Sequence, residues 1–338
     1  MCTCINLKTK DQYLGRNLDL EYRFNEKVVI TPRNYNVKNI NIKYAMIGMA
    51  TVSDDYPLYA EAANEKGLAM AGLYFPNNAY YNEPMKNKIN LAPYEFILYI
   101  LGNFKSVKEV KEIINDINIT NVKFNNLPLA DLHWMISDDK DCIVVEQVKE
   151  GLKVYDNEIG VLTNNPQFYY HLTNINNYIN LSPKNRENTF SDKINLANYG
   201  QGMGAIGLPG DNSPASRFIR VAFNKLNSVC NDDEESSVTQ FFHILDSVAM
   251  TKGSVITKEN NYDMTTYSSC INTTKGIYYY KTYNNNQITA IKLNNVNMND
   301  DKLIIYELIE KQQIKYINYL EWNMGNFVIS TLWLTLLI

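Results

Sequence analysis

The chain begins MCTCINLKTK (residues 1–10), and after four further residues it continues GRNLDLEY (residues 15–22). A strand that leaves from Cys2 and returns as its own hairpin partner brings Arg16 and Asp19 beside that cysteine. Both charged residues lie among leucines, and a charge close to an apolar core is costly unless it is paired. The two stretches therefore predict an antiparallel pair of strands with a cation and an anion next to the leading thiol.

The leading cysteine carries two reactive groups once Met1 is removed, which happens when the next side chain is small. The mature chain then begins with Cys2, whose thiol and free α-amine lie on one residue. An α-amine titrates near ~7.7–8.0, so it is available as a base around neutral pH. We expect Asp19 to orient the amine and Arg16 to favour the thiolate. The plainer interpretation is a small buried cysteine at a strand start, with a solvated salt bridge at a hairpin end.

Asn164 and Arg217 are candidates for the same site. Asn164, in GVLTNNP, follows a strand at the entrance to a turn, where a side-chain amide can donate to an oxyanion. An asparagine that bonds its own turn backbone is the plainer interpretation. Ser213 and Pro214 predict a helix start, which places Arg217 in the first turn. The helix dipole disfavours a cation there by about 0.3–1 kcal/mol, so a facing thiolate or substrate anion would explain it, as would a surface position.

Composition and charge exclude several classes of protein. The 338 residues suffice for one large domain or two modest ones, and the net charge of −4 comes without a basic stripe, which argues against a nucleic-acid partner. Five scattered cysteines argue against a disulfide framework, and three widely separated histidines give no metal-ligand spacing. No signal peptide is visible, so we expect a cytoplasmic, reducing location.

The stretch FVISTLWLTLLI (residues 327–338) is almost wholly apolar. As a helix it spans roughly 18 Å, which is short of the ~30 Å hydrocarbon core of a bilayer. We therefore expect no stable membrane insertion. A packed terminal strand or helix, a subunit contact and a chance extension all remain open.

Strand patterns bracket the helix patterns along the chain. Short apolar or alternating runs dominate the first 75 residues and return near the end, where GIYYYKTYNNNQITAIKL is typical of a hairpin. Helix starts are predicted at Ser106, at Ser213 and at Ser237, the first and last with a capping partner three residues on. Antiparallel sheets with helices on their outer faces fit this order better than alternating strand and helix.

Six stretches together resemble one known family: MCTC…GRNLDLEYRFN, NEKGLAMAGLYFP, LHWMISD, GVLTNNPQF, GLPGDNSPASRFIRVAF and KGIYYYKTYNNNQI. They resemble the choloylglycine hydrolases, a family of N-terminal nucleophile hydrolases that contains the bile salt hydrolases and the penicillin V acylases. The similarity runs in order from residue 1 to about residue 318 and is greater to the bile salt hydrolases of Gram-positive gut bacteria. It implies one domain over residues 1–318, followed by an apolar extension over residues 319–338 without an assigned role.

The resemblance implies a fold and a set of roles. The family fold is an α+β four-layer αββα sandwich, with two antiparallel sheets between helix layers, usually assembled as a homotetramer and without a metal or organic cofactor. Cys2 matches the family's nucleophile, Arg16 its thiol-side arginine and Asp19 its amine-binding aspartate. Asn164 matches the oxyanion-hole asparagine, and Arg217 matches the second active-site arginine.

Two positions depart from the family pattern. Tyr74 stands where bile salt hydrolases usually carry asparagine and penicillin V acylases often carry tyrosine, so substrate preference is open. The backbone N–H of Tyr74 is the expected second oxyanion donor, whichever side chain it carries. Cys4 replaces a residue that is usually glycine or serine, and in a strand it faces the same side as Cys2.

The resemblance implies hydrolysis of the amide bond between a bile acid and glycine or taurine, by acyl transfer to Cys2. The alternatives are a penicillin V acylase or related N-acyl amide hydrolase, and a catalytically silent binding member of the fold. A steroid substrate calls for an apolar cleft. Five residues are candidates for its wall, although each fits plain core equally well: Leu18, Leu20, Tyr59, Ala60 and Phe75.

Overall fold

The computed structural model describes residues 1–37 and 40–318, so the apolar extension predicted at residues 319–338 lies outside the described residues. Within this part the chain forms strands of two to eleven residues. In chain order these are β1 (Cys2–Lys8), β2 (Gln12–Leu20), β3 (Lys27–Thr31), β4 (Asn36–Val37), β5 (Ile40–Asn41), β6 (Met46–Ser53), β7 (Tyr56–Asn64), β8 (Ala69–Tyr74), β9 (Ile89–Leu91), β10 (Ile117–Ile119), β11 (Leu132–Ser137), β12 (Cys142–Val148), β13 (Gly151–Asp156), β14 (Val161–Leu162), β15 (Val255–Ile256), β16 (Tyr262–Asn272), β17 (Ile277–Thr282), β18 (Asn285–Lys292) and β19 (Ile304–Tyr306).

The α-helices lie in the middle of the chain in two groups, separated by β10–β14. They are α1 (Pro93–Asn103), α2 (Val107–Ile113), α3 (Phe168–Asn174), α4 (Pro214–Leu226) and α5 (Glu234–Asp246). Among residues 1–37 and 40–318, no helix combines the length and the apolar character needed to cross a bilayer.

Two large antiparallel sheets form the middle of the molecule. The first runs in the order β14-β1-β2-β16-β17-β18, with β15 beside β16, and the second runs β13-β12-β11-β8-β7-β6-β3-β19. Strands β1 and β2 of the first sheet contact β8 of the second, α4 and α5 cover the first sheet, and α1 covers the second. This arrangement confirms the predicted α+β four-layer αββα sandwich.

Two apolar cores hold the layers together. The first lies between the sheets and beneath α4 and α5, and it contains Leu14, Met135 and Phe218. The second lies between the second sheet and α1, where the rings of Phe96 and Trp134 meet edge to face at 4.8 Å. A fully buried Leu, Met or Phe side chain contributes about 1.5–3 kcal/mol to folding. The leading strand therefore starts inside the sandwich rather than on its surface.

The hairpin predicted from the opening sequence is confirmed. β1 pairs with β2 so that Cys2 lies opposite Leu18 and Cys4 lies opposite Arg16. On its other side β2 pairs with β16, so it is a central strand, and it is buried along nearly its whole length. Arg16 and Asp19 are consequently delivered to the interior beside the start of β1.

Two helix boundaries differ from those predicted. Helix α5 starts at Glu234, not at Ser237, because the side chain of Asp233 accepts from the Ser236 N–H and caps the helix earlier. Helix α2 starts after Ser106 as predicted. Apolar residues at helical spacing from Val107 to Ile117 predict a longer helix, but α2 ends at Ile113 and Ile117 lies in β10. Local pattern alone did not predict α1 or β7.

Gly15 allows β2 to lie close against β16. This close approach gives a test of the sheet order. An added Cβ at Gly15 would lie 2.1 Å from the backbone oxygen of Ser269 in β16. We expect Gly15→Ala to lower the free energy of unfolding by about 1–3 kcal/mol or more. Urea denaturation measures this, with Gly200→Ala as the control, since an added Cβ there meets no atom within 4 Å. Equal effects of the two substitutions would contradict the close approach of β2 and β16.

Candidate active site

The fold brings five of the predicted site residues together around the start of β1. Cys2 opens that strand, with Arg16 and Asp19 on the adjacent strand β2. Asn164 follows β14, which pairs with β1 on its other edge. Arg217 lies in the first turn of α4, the helix that covers β1. All five are buried, with exposed fractions of 3% or less.

The side-chain amide of Asn164 connects three parts of this site. Its oxygen accepts from the backbone N–H of Cys2 and from Arg217 Nη2, both at 2.8 Å. Its Nδ2 donates to the backbone carbonyl of Tyr74 at 2.6 Å. Tyr74 ends β8 and contacts Asn164 through this carbonyl, while its side chain is 47% exposed. Asn164 and Tyr74, predicted to share one role, are thus in direct contact.

Arg217 is held by acceptors on several elements. Its Nε donates to the Asn212 carbonyl at 3.0 Å, and its Nη1 donates to the Cys2 carbonyl and to the Thr3 hydroxyl. Burial lowers the pKa of Arg217, while the nearby carboxylate of Asp19 and the Cys2 thiol oppose that shift. The guanidinium group remains a cation in contact with the leading residue.

Asp19 combines one satisfied oxygen with one that is free. Its Oδ1 accepts from the Thr265 hydroxyl at 2.6 Å. Its Oδ2 is buried without a hydrogen-bond donor within the described part of the chain, and it lies 3.9 Å from Arg217 Nη1. A buried carboxylate oxygen without a donor is unfavourable. This oxygen is therefore available to a positive group that enters the site.

Arg16 lies on β2 and reaches across to the second sheet. Its Nη1 donates to the carbonyls of Gly72 and Ala60 and lies 3.9 Å from Glu61 Oε2. Burial lowers the pKa of Arg16, but its electrostatic interactions with Cys2, Tyr267 and Glu61 more than offset this and raise it. The site thus holds two buried guanidinium groups, both of which favour a thiolate.

Glu61 is a buried acid that the sequence analysis missed. Its carboxylate accepts from the hydroxyls of Tyr267 at 2.8 Å and Tyr278 at 2.5 Å, and it faces Arg16 from the second sheet. Burial raises the pKa of Glu61, and Arg16 acts in the opposite direction. The available signal was a single acid within the apolar run YPLYAEAAN of β7.

Met1 precedes Cys2 and pairs with the backbone of Asp19. Its ammonium group donates to the backbone carbonyl of Asp19 and lies 3.7 Å from Asp263 Oδ2, and its carbonyl accepts from the Asp19 N–H at 2.8 Å. Met1 also lines a cavity of about 400 Å³, together with residues that include Asn212 and Val255. The Cys2 nitrogen, which becomes the α-amine when Met1 is removed, already lies in the site.

The five candidate wall residues fall into two groups. Leu20 and Ala60 are partly exposed. Leu18, Tyr59 and Phe75 are buried, the tyrosine hydroxyl being bonded to Thr31 Oγ1 at 2.8 Å. Their assignment to a substrate cleft stays a prediction.

Cys4, on the same strand as Cys2, is fully buried, and burial raises the pKa of its thiol well above the usual value. Each of the five cysteines is a free thiol. Within residues 1–37 and 40–318, no group of three or more His, Cys, Asp or Glu side chains is arranged to hold a metal ion.

Comparisons with known proteins show which family the chain resembles. Residues 2–306 match the model of the linear amide C–N hydrolases of the choloylglycine hydrolase family. The chain is 48% identical over 324 residues to a bile salt hydrolase/transferase of Lactiplantibacillus plantarum. The matched region covers 94% of this chain and 100% of the relative. The crystal structure of an arginine-to-leucine variant of conjugated bile acid hydrolase from Clostridium perfringens superposes with a TM-score of 0.87 at 44% identity, over 94% of this chain and 100% of that chain.

A more distant structure shares the fold alone. Penicillin V acylase from Agrobacterium tumefaciens gives a TM-score of 0.69 at 18% identity, over 91% of each chain. The matched family model and the similar curated relative show that the protein is a hydrolase of linear amide C–N bonds. It belongs to the choloylglycine hydrolase family, which confirms the resemblance that its sequence indicates.

His171 provides a test of the packing around Asn164. This histidine is fully buried, stacks on the Phe218 ring at 4.7 Å, and its Nε2 lies 3.2 Å from the Asn164 carbonyl oxygen. Burial lowers the pKa of His171 to about 4. The unfolded chain, with a histidine pKa near ~6.5, binds more protons between these values, so stability falls as the pH drops through this window.

We expect the wild type to lose about 2–3 kcal/mol more unfolding free energy than His171→Gln between about pH 7 and about pH 4.5. Urea denaturation at the two pH values measures the difference. His243→Gln is the matched control, because His243 is exposed on α5. A His171→Gln variant with the same pH dependence as the wild type would contradict the neutral, buried state of His171.

Proposed function

We propose that this protein is a conjugated bile salt hydrolase, which cleaves the amide bond between a bile acid and glycine or taurine. The observation that carries the proposal is the position of Cys2, whose backbone nitrogen and carbonyl are held by Asn164 and Arg217. Beside it Asp19 presents a buried carboxylate oxygen without a donor among the described residues. Its relatives named bile salt or conjugated bile acid hydrolase support the substrate class.

In the first step of the proposed mechanism, removal of Met1 frees the α-amine of Cys2. The free carboxylate oxygen of Asp19 then accepts a hydrogen bond from this amine and orients it. This bond is favourable because the oxygen is buried and has no other donor among the described residues. Removal of Met1 also withdraws its side chain from the cavity of about 400 Å³ that it lines. The conjugated amide enters from this side.

In the second step the sulfur of Cys2, favoured as the thiolate by Arg16 and Arg217, attacks the amide carbonyl carbon. A sulfur–carbon bond forms, and the carbonyl electron pair moves to the oxygen. The Asn164 side-chain amide and the Tyr74 N–H stabilise this oxyanion, a role in which the loss of one donor typically lowers the rate by ~10²–10³. The oxyanion collapses and the carbon–nitrogen bond breaks.

The α-amine of Cys2 acts as the general base and acid of both halves of the reaction. It takes the thiol proton and passes it to the departing glycine or taurine nitrogen, which leaves as the free amine. The bile acid remains as a thioester on Cys2. Water, deprotonated by the same amine, attacks the thioester, and the sulfur–carbon bond breaks to release the bile acid and restore the thiol.

We further propose a cytoplasmic homotetramer. The segment between α3 and α4 supports assembly, because it presents large exposed apolar side chains that a partner subunit can cover. The most exposed are Ile179 at 90%, Tyr199 at 89% and Phe190 at 81%. Light scattering of the purified protein tests the number of subunits.

A nucleophile test separates the enzyme from a silent binding protein. We expect Cys2→Ser to lower taurocholate hydrolysis by at least about a thousandfold, because a hydroxyl is far less acidic than a thiol and the α-amine activates it poorly. Release of free taurine measures turnover, and Cys230→Ser, which changes a free thiol remote from the site in sequence, is the control. Retained turnover in Cys2→Ser, or Met1 retained in the intact mass of active protein, would rule out the mechanism.

A substrate panel tests the proposed specificity. We expect glycocholate and taurocholate to be hydrolysed with a kcat/KM at least about tenfold above that for phenoxymethylpenicillin, since a steroid buries far more apolar surface than a phenoxymethyl group. Tyr74→Asn is the informative variant, because this exposed side chain lies at the end of β8 beside Asn164. A preference of the wild type for the penicillin would favour the acylase alternative.

A further inference from the structure

Two buried histidines hold the backbone on both sides of Asn164. His133 lies in β11 and His171 in α3, and both are fully buried. The Nε2 of His133 lies 2.9 Å from the carbonyl oxygen of Thr163, and the Nε2 of His171 lies 3.2 Å from that of Asn164. Because a carbonyl oxygen only accepts, each Nε2 carries a proton and donates.

The second ring nitrogen of His133 faces an acid. Its Nδ1 lies 2.9 Å from Glu146 Oε1, and both side chains are fully buried. Both ring nitrogens of His133 are therefore in hydrogen-bond contact, one with the carboxyl group of Glu146 and one with the backbone before Asn164. The same Glu146 oxygen accepts from the Phe168 N–H at 3.0 Å, at the first residue of α3. Glu146 therefore orients His133 and fixes the start of the helix that carries His171.

The face of the His133 ring supports a second part of the site. The ring stacks on Phe75 with centroids 4.2 Å apart and planes within 6°. Phe75 directly follows Tyr74, whose carbonyl accepts from Asn164 Nδ2. One imidazole thus contacts the residue before Asn164 through its edge and the residue after Tyr74 through its face.

We propose that His133, oriented by Glu146, is a positioning residue that fixes the two oxyanion donors, Asn164 and the Tyr74 N–H, relative to each other. This inference rests on the proposed function, in which these two groups stabilise the same oxyanion. His133 touches no reacting atom in this scheme. It acts through the Thr163 carbonyl on one side and the Phe75 ring on the other.

Stability alone does not explain this pair. Burying an acid and an imidazole away from water incurs a desolvation penalty, and apolar residues of similar volume are frequently as stabilising. Positioning does explain it, because oxyanion donors act only when they are held close to the final position of the oxyanion. A misplacement of about 1 Å can lower a rate by about a hundredfold.

The test separates positioning from stability with two variants. His133→Phe keeps a ring to stack on Phe75 but removes both hydrogen bonds, and it leaves the Phe168 N–H as the remaining partner of the buried Glu146. Combining it with Glu146→Gln replaces the buried acid with a neutral amide that can still accept from the Phe168 N–H, so the double variant should regain most of the lost stability. Taurocholate turnover by each purified variant, corrected for the folded fraction, gives kcat and KM separately.

We expect kcat of the double variant to stay about ten- to a hundredfold below that of the wild type, with KM changed by less than about twofold. Asn64→Ala is the matched control, because Asn64 is equally buried and donates to the Leu101 and Phe104 carbonyls on the opposite side of the second sheet. It should lower the melting temperature and leave kcat unchanged.

Three outcomes would overturn the inference. A double variant with the kcat of the wild type would show that the pair has a structural role alone. A rise in KM without a fall in kcat would show that the pair acts on substrate binding instead. A wild type without taurocholate turnover would overturn the proposed function and this inference together, whereas the first two outcomes leave the proposed function intact.

Discussion

The burial of Arg217 is the constraint on which the site depends. A guanidinium group without solvent must find acceptors for its N–H groups, and this one finds them on the turn before α4, on β1 and on the Asn164 side chain. These three parts of the chain are far apart in sequence. The first sheet and its covering helix must therefore assemble around the leading residue before this charge is accommodated, so formation of the site and closure of the fold are one event.

A second buried cation, Arg16, connects the two sheets of the sandwich. Arg16 belongs to the first sheet, yet its acceptors at Ala60 and Gly72 belong to the second, next to the carboxylate of Glu61. The two guanidinium groups approach the start of β1 from different layers. The thiol consequently lies where the two sheets and the helix layer meet, and a change in the spacing of any layer would alter its electrostatic environment.

The sequence predicts those parts of the fold and of the site that follow from local pattern. The β1–β2 hairpin and the starts of α2 and α4 follow from alternation, turn residues and caps, all of which are local properties. The oxyanion role of Asn164 was a candidate from its position after a strand, whereas that of Tyr74 came from the family resemblance alone. Local pattern could not join the two, because their contact links residues ninety positions apart. The roles of both residues remain proposals.

What the sequence could not predict depends on contacts between distant segments. Strand β7 was missed because its apolar run does not alternate, and α5 was placed too late because Asp233 competes as a cap. His133 and His171 look unrelated in the sequence, since they are neither close to each other nor spaced as ligands. Only the pairing of β8 with β11 and the packing of α3 bring both to the backbone around Asn164.

Under the proposed mechanism a chain that retains Met1 is an inactive precursor, because the α-amine of Cys2 is not yet free. The ammonium group and carbonyl of Met1 extend the β1–β2 pairing by one residue at Asp19, where the α-amine of Cys2 has to act. Any affinity tag or fusion partner attached ahead of Cys2 would prolong this blocked state indefinitely. Recombinant enzyme is therefore best tagged at the other terminus, and the activity of a preparation reports how completely the host's methionine aminopeptidase has processed it.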